Sequence, residues 1–157
     1  MKIRESVTIH ATAETVWFFL DDPDMVKQWN PKVKDWQPVS QGNHGQGYAF
    51  RILYGMSNKH TWFDAVFSEY SPFTRLVWSL TDPKKPQLAP TPLTYPLEAK
   101  SDNVRLTQVI EFDDKVIPWP LRWLVLFILK FGKPMNETRD GKAETYLETL
   151  KRFAEGV

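Results

Sequence analysis

From Lys32 to Asp114 apolar side chains recur at every second position, and the recurrence breaks at Gly42-Asn43-His44-Gly45, Gly55-Met56-Ser57-Asn58, Ser71-Pro72 and Ser101-Asp102-Asn103. A period of two belongs to strands with one buried face, and short turns between them favour antiparallel pairing. Six strands fit between the breaks, at about 33–40, 46–54, 60–70, 75–81, 93–100 and 104–113. A seventh opens the chain over residues 2–10, where Ile3, Val7 and Ile9 alternate with Arg4, Ser6, Thr8 and His10. Such a chain is committed to an antiparallel sheet with one wet face and one face that needs a cover.

The cover is legible where the period changes. Ala143, Tyr146, Leu147, Leu150, Phe153 and Ala154 follow the three-and-four spacing of a helix face, opposite Arg139, Lys142, Glu144, Glu148, Lys151 and Arg152. This predicts a long C-terminal helix over Asn136–Glu155. Two shorter helices stand between the first strand and the rest. Thr12 is a cap for about 13–20, with Val16, Trp17 and Leu20 inward, and Asp22-Pro23 opens a second that ends near Trp29-Asn30-Pro31. The expected class is α+β, in the order β-α-α-β6-α, as one domain over 1–157. Asp82–Pro92, with four prolines, reads as a loop. Residues 119–131, between Pro118 and the Gly132 and Pro134 stop, form an extra helix that is apolar nearly all round. It is shorter than the about 20 residues that cross a bilayer, so it is buried, contacts a second copy, or lies on a membrane surface.

Composition removes several functions. Twenty Lys and Arg against nineteen Asp and Glu leave no basic excess for nucleic acid. No cysteine is present, so disulfides, thiolate nucleophiles and Cys-based metal sites are excluded. His10, His44 and His60 lack the spacing of a helical zinc site, and no metal or cofactor is expected. The start MKIRESVTIH has no apolar run of a signal peptide, which predicts a cytoplasmic protein. The glycines at 42, 45 and 47 lie between strands and do not open a helix, so they are not a phosphate cradle. No catalytic residue stands out. Asp64 and Glu111 become acid–base candidates only if their strands face the other way, since a one-residue slip inverts a strand. Gln108 falls on an otherwise apolar inner face, where its amide anchors a ligand or pairs internally with a tyrosine such as Tyr146 or with water.

The opening VTIHATAETVWFFLDDPDMVKQWNP, with the order of elements, resembles the START-like helix-grip (SRPBCC) superfamily, in particular its polyketide cyclase/dehydrase-type branch. Ile9 to Pro31 carries most of the likeness. Glu69-Tyr70-Ser71-Pro72 before Leu76-Val77-Trp78, and Leu106-Thr107-Gln108 ahead of Glu111-Phe112, extend it over essentially the whole chain. The resemblance implies a seven-stranded curved sheet wrapped around the C-terminal helix, with a deep apolar cavity between them. Members bind lipids, polyketides or other hydrophobic small molecules there, without a shared triad or metal set. On this reading the ligand faces Tyr48, Phe50, Phe63, Trp78, Tyr95 and Gln108 from the sheet and Tyr146 and Leu150 from the helix. The expected function is binding, used in transport or sequestration. A cyclase or dehydratase-type enzyme using the same cavity is one alternative. A lipid-handling module docking on membranes through 119–131 is another, and a homodimer contact there is the further partner expectation.

Overall fold

Thr12 and Asp22 set the first corner of the fold. The computed structural model describes residues 2–56, 59–111, 135–137 and 143–156. Strand β1 (Lys2–Ile9) ends before Thr12, whose extended backbone and hydroxyl, accepting from Thr15 N at 3.2 Å, start α1 (Ala13–Asp21). Asp22 closes α1 and its carboxylate accepts from Asp24 N at 2.9 Å, opening α2 (Pro23–Trp29) with proline at its first turn. Val16, Trp17, Phe19 and Leu20 of α1 and Val26 and Trp29 of α2 are thereby buried together.

The strands that follow are β2 (Val33–Pro38), β3 (Ala49–Met56), β4 (Lys59–Ser71), β5 (Arg75–Thr81), β6 (Thr91–Ala99) and β7 (Val104–Glu111). They form one seven-stranded sheet in the order β1-β7-β6-β5-β4-β3-β2, antiparallel throughout. Two irregularities, between Val33 and Asp35 and between Phe67 and Glu69, shift the register as bulges do, and bulges bend a strand. One face of the sheet supplies Phe50, Ile52, Phe67, Leu76, Trp78 and Leu106 to a core completed by Leu20, Trp29, Leu147 and Leu150 from the helices. This is the helix-grip arrangement.

The C-terminal helix is shorter than its apolar stripe predicts. Met135–Glu137 (β8) and Ala143–Thr145 (β9) pair as an antiparallel ribbon, and α3 runs only from Tyr146 to Glu155. Thr145 decides the start. Its hydroxyl accepts from Glu148 N at 3.2 Å while the Glu148 carboxylate accepts from Thr145 N at 3.4 Å, a reciprocal capping box. The strand limits also differ. β2 stops at Pro38, β3 starts at Ala49, and β6 reaches back to Thr91 and Pro92, which pair with Leu80 and Ser79 and shorten the expected loop. Pro92 is tolerated at the start of the strand, where a missing N–H costs the ladder least. The helix expected at 119–131 and Phe112 lie outside the described residues.

Removing the cap should show directly. Thr145→Ala is expected to lower stability by about 1 kcal/mol in urea unfolding, with Thr145→Ser recovering most of it. An unchanged midpoint for the alanine variant would mean that the cap does not set the helix start.

Candidate functional site

Between α2 and the sheet the side chains leave a small enclosed space. Val26, Trp29 and Asn30 line it from α2 and its end, Ile52 and Tyr54 from β3, and Trp78 and Tyr95 from β5 and β6, with Leu20, Val33, Leu80 and Leu93 completing the wall. Its volume is about 10 Å³, close to that of a single water. Trp29 holds its position by donating its indole N–H to Phe19 O at 2.8 Å, and its ring meets Tyr95 edge-on at 6.4 Å.

The polar groups of the wall are biased towards donation. Asn30, 5% exposed, donates its Nδ2 to Tyr54 Oη at 3.3 Å and accepts at Oδ1 from Lys32 N at 3.2 Å. Gln108 Nε2 donates to Tyr95 Oη at 2.9 Å. Both phenols act as acceptors in these bonds, so their own O–H groups remain to be given away. Burial pushes the Tyr95 phenol far above its ordinary pKa, with Tyr54 adding to the effect; Tyr54 is raised by its own burial, partly offset by Asn30. Both stay protonated at neutral pH. Trp78 Nε1 is the buried side-chain nitrogen or oxygen without a hydrogen-bond partner among the described residues, on a ring 3% exposed. Leaving such a donor unmade costs about 1–3 kcal/mol.

Of the residues expected at a ligand site, Trp78 and Tyr95 line this space, and Gln108 stands behind Tyr95. Phe63 packs edge-on to Tyr54 at 6.4 Å. Tyr48 and Phe50 belong to an aromatic cluster with Phe67, Leu150 is fully buried on α3, and Tyr146 is half-buried beneath the Lys32 ammonium, 5.8 Å from its ring centroid. Asn30, Tyr54 and Trp29 are not among the expected residues. Trp29-Asn30-Pro31 reads in sequence as the exit of a helix, and nothing local says that the amide turns inward. Glu5 also escapes notice, although the alternation Ile3, Glu5, Val7, Ile9 places it on the buried side of β1, opposite Gln108. The acid–base candidates face away: Asp64 pairs with Arg51 at 3.5 Å and Glu111 with Lys2 at 2.9 Å on the exposed side. Trp62 lies on that side too, beneath Arg51, whereas Trp36 packs on Phe50 and donates to Asp24 at 2.9 Å.

A second polar cluster closes the corner between α1 and the β2–β3 loop. Tyr70 Oη donates to Asp21 Oδ2 at 2.8 Å, His44 Nδ1 lies 3.6 Å from the same oxygen, and Trp17 Nε1 donates to Tyr70 at 3.4 Å. His44 is seated against the Tyr48 and Phe67 rings. Burial raises the Asp21 pKa, and its hydrogen bond from Tyr70 and the nearby His44 offset this only in part. Among the described residues no group of three His, Cys, Asp or Glu is placed to hold a metal ion.

Two measurements follow from these contacts. Gln108→Leu strips a partner from a buried phenol and should cost about 1–3 kcal/mol, with Tyr95→Phe relieving part of that cost in the double variant; simple additivity would exclude the coupling. A raised Asp21 pKa stabilises the fold fully below the ordinary value of 3.8 and is lost as pH rises through the folded value. The stability of Asp21→Asn relative to wild type should therefore increase with pH across that window in urea titrations; a pH-independent difference would contradict the burial effect.

The model of a family described as polyketide cyclase / dehydrase and lipid transport matches residues 1–152. Solved structures share the fold over nearly the full length. The protein TTHA0849 from Thermus thermophilus superposes with a TM-score of 0.67 at 15% identity, covering 99% of this chain and 98% of that one. An AHSA1-like protein from Aeromonas hydrophila gives 0.59 at 18% identity, covering 99% and 93%. The ginseng major latex-like protein 151 from Panax ginseng gives 0.65 at 9% identity, covering 99% and 95%. No curated protein matches at the level of sequence. No helix among the described residues is long and apolar enough to cross a membrane.

Proposed function

The chain belongs to the polyketide cyclase/dehydrase and lipid transport family, and on that premise we propose that it binds a hydrophobic small molecule between α2 and the inner face of the sheet, rather than against the C-terminal helix, which does not line the space. The observation that carries this reading is Trp78: a buried donor without a partner among the described residues, in the wall of an apolar space that also offers the Tyr54 and Tyr95 hydroxyls. A ligand with a carbonyl or ether oxygen on an apolar body satisfies these groups and gains from burial. Removing about 300 Å² of apolar ligand surface from water is worth on the order of 7 kcal/mol before ordering costs, enough for useful affinity.

The enclosed volume of about 10 Å³ sets a condition on this reading. It accepts a water, so a larger ligand enters by displacing the side chains that line it, Trp29 and Trp78 among them. A cyclase or dehydratase role needs an acid or base at the reacting carbon. Among the described residues of the wall the two phenols are the titratable groups, both held protonated, Asp64 and Glu111 point the other way, and Glu5, opposite Gln108, does not line the space. Binding is therefore the function we assign, with transport or sequestration as its use.

Titration with lipids, sterols and aromatic polyketides should give a saturable change in tryptophan emission for at least one carbonyl-bearing compound. Trp78→Phe should weaken that compound more than its deoxygenated analogue. A panel without any saturable response would refute the binding role.

A further inference from the structure

At one end of the enclosed space stands a half-buried cation, Lys32, with no carboxylate paired to it among the described residues. Lys32 lies in the turn between α2 and β2, two residues from Asn30 and one from Val33, both of which line the space. Its backbone is fixed on both sides: the N–H donates to Asn30 Oδ1 at 3.2 Å and the carbonyl accepts from Gly55 N at 2.7 Å. The side chain is half-buried, with its ammonium 5.8 Å from the centroid of the Tyr146 ring. No carboxylate among the described residues forms an ion pair with it. Burial accordingly holds its pKa below the ordinary value of 10.5, with no opposing charge to restore it.

Its neighbours have the same bias. Asn30 donates to the Tyr54 oxygen and Gln108 to the Tyr95 oxygen, so both hydroxyls have protons to give, and burial keeps the Tyr95 and Tyr146 phenols protonated. Lys34 and His60, the groups nearest a Cβ at Gly55, lie on the outer face of the sheet with Asp64 and Trp62, which leaves Lys32, among the described residues, as the cation on the inner side. Partly desolvated ammonium groups are normally paired or hydrogen-bonded, because an isolated buried charge is costly. Here the ammonium has an aromatic face and, among the described residues, no paired anion.

We propose that Lys32 anchors the acidic end of an amphipathic ligand, a hydrophobic carboxylate whose apolar body continues past Asn30 and Tyr54 into the space beneath Trp78. The inference rests on the binding role proposed above and specifies its ligand class. One ammonium flanked by phenols balances one negative charge, which favours a carboxylate over a phosphate dianion. Lys32 is then a specificity-determining residue: it distinguishes an acid from its neutral ester on the same skeleton.

The test compares dodecanoate and 2-naphthylacetate with their methyl esters, by calorimetry and tryptophan emission, on wild type, Lys32→Met and Lys32→Arg. Wild type is expected to bind the acid of at least one pair about tenfold tighter than its ester. Lys32→Met should erase that preference while leaving ester affinity within about twofold, and Lys32→Arg should retain it. Thermal unfolding of Lys32→Met should match or exceed wild type, since the substitution removes a desolvated charge. Equal binding of acid and ester by wild type, or a preference that survives Lys32→Met, overturns the anchor and leaves the binding role standing. Absence of binding by every acid and every ester on wild type overturns both.

Discussion

The indole of Trp29 is the contact on which the arrangement depends. It is almost completely buried, it donates to the carbonyl of Phe19, and its ring meets Tyr95 on the sheet. One side chain thus fixes α2 to α1 and sets both against β6. The next residue, Asn30, inherits that placement and turns its amide onto Tyr54 and its carbonyl onto the Lys32 backbone. The interior polar groups are arranged around this helix end, which the core holds rigid.

The strands are legible because alternation is a property of the chain itself. Phe50, Ile52 and Tyr54, or Leu106, Gln108 and Ile110, declare a face without reference to their partners, and the register then follows. Thr12 and Asp22 are legible for the same reason, as a cap needs only its own next turn. The start of α3 is equally local but is masked by a competing signal. The apolar stripe extends back to Ala143, while the Thr145-to-Glu148 box that ends the ribbon is written in two polar residues on the other side. At the site the limit is different in kind. Asn30 meets Tyr54 across 24 positions and Gln108 meets Tyr95 across 13, and among several buried tyrosines nothing in the spacing selects the partner. An amide on an apolar face, such as Gln108, needs a partner; that it is Tyr95 is decided by β6 and β7 lying side by side.

The distribution of polar groups separates architecture from use. Hydroxyls and amides that hold the fold are paired, as at Ser6 and Thr107 or Thr145 and Glu148. Those beside the enclosed space are left with capacity to donate: Trp78 with no acceptor among the described residues, two phenols that only accept, and Lys32 with no counter-charge there. A folded chain under selection for stability alone would satisfy or remove such groups, since each lowers its margin. On the binding role proposed above, a ligand would supply the acceptors that these groups lack among the described residues.

The place of β1 in the sheet governs how this chain must be made. Ser6 and Thr107 exchange a hydrogen bond at 2.8 Å although 101 residues separate them, and β1 pairs with β7 along its whole length. During synthesis the first strand emerges with its partner not yet translated, and closing so long a loop carries an entropic cost before any contact is gained. The hairpins β3–β4 and β4–β5, with short connections, are complete well before then. The β1–β7 ladder therefore cannot close until β7 has been made, after the residues of the β3–β4 and β4–β5 hairpins are already available to pair.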